Sequence, residues 1–117
     1  MKNRNLAIAI ALLVIPLQVS AATAFFNSKI TRVLVTSDDE FGGCMVRPAA
    51  SMSDALDCRV WATMDCAGAL GGTKSEGNRK FETAQLANVM GKNVGLTITD
   101  DKKINGWCYV ERVAFTN

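Results

Sequence analysis

The sequence predicts one α+β domain, mostly β, built from five strands and one helix and held by two disulfides. Three observations carry this. Four cysteines lie in a short chain that opens with an export leader. Several segments are rich in β-branched residues and alternate apolar with polar positions. A single helix-favouring segment falls between the third and fourth of them.

The leader comes first. "MKNRN" is a basic n-region, "LAIAIALLVIPL" an apolar run, and "QVSAATA" a stretch of small residues. The run is too short to span a bilayer, which takes about 20 residues. Cleavage after Ala24 follows the A-x-A rule, so residues 1–24 read as a signal peptide and 25–117 as the domain; cleavage after Ala21, with Val19 at −3, fits nearly as well. The expected product is exported, to the periplasm or beyond the cell, with no membrane span. No cysteine lies near the cleavage point, so no lipid anchor is expected. The chain has 13 basic and 11 acidic residues, and Lys2 and Arg4 leave with the leader. The balanced remainder lacks the basic surplus that nucleic acid or an anionic membrane recruits.

"KITRVLVTS" reads as strand 1 over about 29–36, and "DDEFGG" as a turn. "CMVRPA" is strand 2, ended by Pro48. "ASMSDALD" is a polar loop with room for one helical turn. "CRVWATMDC" is strand 3, with Cys58, Val60, Ala62, Met64 and Cys66 on the inner face and Arg59, Trp61, Thr63 and Asp65 on the outer. The glycine-rich "AGALGGTKSEG" is a connector. "NRKFETAQLANVM" is the helix, with Asn78 as N-cap and Gly91 as C′. "NVGLTIT" is strand 4, "DDKKING" a turn, and "WCYVERVAFT" strand 5.

Cysteine pairing follows from this order. Cys58 and Cys66 on one strand stand about 26 Å apart at 3.3 Å per residue, and a disulfide needs Cα atoms within about 7 Å. That removes 58–66, and with it 44–108. Three strands, a helix and two strands is the order of the five-stranded OB barrel, in which strands 2 and 3 are antiparallel and strands 3 and 5 parallel. The preferred pairs are then Cys44–Cys66 and Cys58–Cys108. With Cys108 inside, Trp107, Tyr109, Val113 and Phe115 face outward unless a bulge shifts the phase.

The chain also resembles known families. The helix feeding "NVGLTIT" and the short Trp-Cys strand are similar in architecture to the B subunits of cholera-like and pertussis-like toxins. That resemblance implies an OB fold, a homo-oligomer and a glycan partner. "GGCM", "FETAQLA" and "DDKKINGWCYVERV" resemble small exported bacterial proteins to which no activity is attached. Neither resemblance carries a site residue over.

Ligand-binding candidates come from position. On an OB barrel the face of strands 2 and 3 and the 1–2 and 4–5 loops meet the ligand. Trp61 could stack on a sugar while Arg59, Thr63 and Asp65 bond its hydroxyls; Lys103 and Asn105 lie in the 4–5 loop and Asp38–Phe41 in the 1–2 loop. Packing under the "ASMSDALD" loop or a neighbouring subunit is the commoner fate of a tryptophan. "SDDE" and "DDKK" lack calcium-loop spacing, and the glycine-rich loop lacks the phosphate-loop pattern. With no histidine and no G-x-S-x-G or S-x-x-K, no enzyme, metal or cofactor is expected. The expectation is a binding protein for a glycan or a protein surface. Its rivals are a monomeric periplasmic inhibitor of an enzyme and a structural secreted subunit.

Overall fold

The computed structural model describes residues 10–16 and 22–116. The leader expected over 1–24 therefore lies largely outside the described residues. Among the described residues, no helix is long and apolar enough to cross a membrane.

Five strands form one mixed sheet that closes into a ring in the order β1-β2-β3-β5-β4. They are β1 (Thr23–Val35), β2 (Cys44–Pro48), β3 (Ala62–Thr63), β4 (Asn93–Ile104) and β5 (Trp107–Phe115). Neighbours are antiparallel except β3 and β5, which run parallel. Among the described residues each strand has a partner on both sides, which leaves little free edge. Val46, Ala62, Met64, Val94, Leu96, Ile98 and Val110 fill the interior and are fully buried.

Both disulfides form as the element order requires. Cys44 pairs with Cys66 and Cys58 with Cys108, each with Cα atoms 5.7 Å apart. Strand 3, however, is two residues long and not nine. Thr63 and Asp65, expected on an outer face, are buried: the Thr63 hydroxyl bonds the Phe41 carbonyl, and Asp65 leaves the extended region at φ 57° and turns its carboxylate back on the chain. A two-residue ladder supplies few hydrogen bonds, and one disulfide reinforces it toward each neighbour.

The 1–2 turn contains a four-residue helical turn, α1 (Asp38–Phe41), capped by Gly42 in the left-handed region. The 49–56 loop holds the expected single turn, a 3-10 helix at Met52–Asp54, whose Met52 is buried together with Leu56. The main helix, α2 (Lys74–Met90), begins before Asn78, because "TKSE" is a capping box. Thr73 Oγ1 accepts from the Glu76 N–H at 3.1 Å, and the Thr73 N–H donates to Glu76 Oε2 at 3.3 Å. Gly91 ends it in the left-handed conformation, as expected. Gly77, Phe81, Ala84 and Ala87 make the buried stripe, while Leu86, Val89 and Met90 face outward.

Strand β4 runs on to Ile104, past the expected turn, and the connection to β5 is only Asn105-Gly106. Both have positive φ, 51° and 81°, the requirement of a type I′ hairpin. Residues 100–102 bulge out of the ladder between Thr99 and Lys103. A second irregularity, at Glu111, settles the phase of β5. Cys108 and Val110 point into the ring, Trp107 and Tyr109 point away, and beyond the bulge Val113 returns to the core opposite Leu96.

Candidate functional site

The hairpin turn and α1 meet at one end of the ring. Asn105 Nδ2 donates to the Glu40 carbonyl, and the Phe41 ring meets Trp107 edge-on, with centroids 6.1 Å apart and planes at 87°. Arg59 lays its guanidinium over Trp107, 4.6 Å from the ring centre, a contact that contributes about 0.5–1 kcal/mol at an exposed site. Gly106 leaves room for it, since a Cβ there would stand 3.1 Å from Arg59 Nη2. A planar cation is thereby held over a half-buried indole with its remaining donors in solvent.

Arg59 also lines a cleft of about 240 Å³ beneath the 49–53 loop, with Arg47, Ser51, Ser53 and Val60 among its walls. Among the described residues, neither Arg47 nor Arg59 pairs with a carboxylate; the ion pairs are Lys74–Asp38 and Lys103–Asp57. Two arginines without a carboxylate partner at one small cleft favour a planar anion, which a guanidinium can bind bidentately.

The expected site residues divide. Arg59 is exposed and at the site. Trp61 is half-buried and takes no part in the aromatic or cation–ring contacts. Thr63 donates to the Phe41 carbonyl at 2.6 Å. Asp65 accepts from the Ala69 and Leu70 N–H groups at 2.8 and 2.7 Å, which shapes the glycine-rich connector. Lys103 donates to the Asp57 carbonyl at 2.9 Å and to its carboxylate at 3.0 Å. Asn105 joins the two loops. Each of these last four is hydrogen-bonded to the protein's own main chain. Trp107 and Arg47, which the sequence did not single out as ligand-binding candidates, lie beside Arg59, and Phe41 comes from the 1–2 loop that it did. Trp107 sits next to an inward cysteine, which is the signal that an aromatic must face outward there.

A second polar cluster lies between α2 and β5. Lys80 Nζ donates to Tyr109 Oη at 2.7 Å and to the Val110 carbonyl at 2.8 Å. Burial first, and Lys102 to a lesser degree, pushes the Lys80 ammonium below its ordinary 10.5, while Asp65, Glu76 and Glu111 oppose this. Burial likewise raises Tyr109 above 10.0. The depressed lysine gives up its proton in the folded state first. Stability from this group therefore rises with pH between its folded value and 10.5. Lys80→Met abolishes that rise; the check is the wild-type-minus-variant difference in urea midpoint across alkaline pH, where a flat difference opposes it.

Comparison with protein-family models, curated proteins and solved structures finds no match.

Proposed function

We propose that the protein is an exported, non-enzymatic binding protein that holds an acidic glycan at Arg59, on an OB-like ring. Arg59 carries the reading, because it belongs both to the Trp107 platform and to the arginine-lined cleft. The strand order supports it, being that of an OB barrel, whose ligands meet the 1–2 and 4–5 loops. Those are the loops that Phe41, Asn105 and Trp107 bring together. The volume favours a small group over a large one, since drug-sized pockets run about 300–1,000 Å³. An indole face suits a sugar ring, and the two guanidinium groups suit its carboxylate or sulfate.

An array of neutral and acidic oligosaccharides tests this. Acidic members are retained, and Arg59→Ala weakens them at least about tenfold, or about 1.4 kcal/mol. The same variant leaves the melting temperature within the small range of exposed substitutions, and Trp61→Ala leaves binding intact. A blank array, or equal retention by Arg59→Ala, overturns the reading.

One observation favours a second reading, a structural subunit that associates with copies of itself. Leu86, Val89 and Met90 are 52, 84 and 53% exposed on one face of α2, an apolar stripe that a second copy could cover. Native mass spectrometry without ligand separates the two, since this reading requires a stable oligomer and the first does not.

A further inference from the structure

Residues 22–24 belong to the folded domain. Thr23 pairs with Thr99 and Ala24 with Ile98, and Ala22 and Ala24 pack against the core. The Ala22 carbonyl accepts from the Asp100 N–H at 3.0 Å and from Thr99 Oγ1 at 3.2 Å. Cleavage after Ala24 removes all of this, whereas cleavage after Ala21 keeps it.

Asp100 gives the second half of the argument. It stands in the 100–102 bulge, with Oδ2 accepting from the Asp57 N–H at 3.0 Å and Oδ1 accepting from the Ala22 nitrogen at 2.6 Å. These two bonds, the Ala22 one first, hold its carboxyl below the ordinary 3.8, with Lys103 adding to the effect. It is therefore an anion at neutral pH.

We propose that the mature protein begins at Ala22 and that Asp100 is the docking site of its new α-ammonium group. Hydrolysis of the Ala21–Ala22 bond by a leader-removing endopeptidase consumes one water. The Ala21 carboxylate departs with the leader, and the Ala22 nitrogen becomes an ammonium. At the same position a neutral amide donor is replaced by a cation, so a hydrogen bond to an anion gains the direct attraction of two opposite charges. Only a cut at this bond places the positive charge there.

Three measurements on the exported, unreduced protein test this. The intact mass is expected to be that of residues 22–117 with two disulfides; a chain beginning at Phe25 overturns the proposal. The α-amine is expected to titrate above its ordinary value of about 8, and to return to it in Asp100→Asn; ordinary titration in the wild type overturns the docking. A product carrying one extra residue before Ala22 keeps Asp100, Asp57 and Lys103 but moves the charge away. It is expected to melt lower than the Ala22 form at pH 7. The difference disappears as pH rises through the amine's raised value, because a group with a raised folded pKa loses its stabilisation there. Equal melting at pH 7 overturns the ion pair, and that variant serves if Asp100→Asn does not fold.

Discussion

Replacing Cys58 and Cys108 together by serine lowers the free energy of unfolding by about 4 kcal/mol, the chain-entropy value for a loop of 50 residues. Replacing Cys44 and Cys66 together, with a separation of 22, costs about 3.4 kcal/mol by the same relation. Both partners are exchanged so that no free thiol remains. A domain of this size has in total about 5–14 kcal/mol of stability. Each loss is thus a large share, and the fourfold variant is expected to stand close to unfolding. Urea denaturation of the two double variants checks the order. If the shorter loop costs more, native packing around Cys44 outweighs the entropy of the open chain.

Gly77→Ala is expected to destabilise by about 3 kcal/mol, although helix propensity alone predicts a gain of about 1. A Cβ at Gly77 would lie 2.2 Å from the Asp65 carbonyl oxygen, 2.6 Å from its carbon and 2.9 Å from Cys66 Cα. All three are main-chain atoms, so no rotamer change relieves the overlap. Asp65 cannot retreat easily either, since its carboxylate holds the Ala69 and Leu70 N–H groups and Cys66 is tied to Cys44. The sign of the change in urea midpoint decides. A stabilised variant would mean that the first turns of α2 slide off the 64–66 segment at little cost.

Much of the architecture was legible because its determinants are local. Cys108 flanked by aromatics, the Asn-Gly hairpin, the alternation of Val94, Leu96 and Ile98, and Gly91 past the helix end each act over a few residues. The disulfide pairing was legible because only a few strand orders accommodate four such positions. Strand 3 was overread for a physical reason: Thr63 and Asp65 are polar, and period-two alternation treats polar as outward. Both are buried here because backbone groups satisfy them, and that satisfaction depends on residues far along the chain. The helix start was hidden in a glycine-rich run, where Gly77 is read as flexibility although it serves close packing. At the site, Arg59 was legible as an exposed cation. Its platform was only half legible: the Cys58–Cys108 pairing puts Arg59 and Trp107 next to the same disulfide, but that the guanidinium lies over the ring depends on the Gly106 turn beside it.

The short third strand has a further consequence. Two residue pairs join β3 to β2 and two join it to β5, and one disulfide spans the seam on each side. Where thiols are kept reduced, the seam loses both covalent ties and keeps its few hydrogen bonds and its packing, whereas β1, β4 and β5 are joined by long ladders. Closure of the ring is thereby the part of the fold most sensitive to reduction of the cysteines. The shortest strand is thus where loss of the disulfides is felt first.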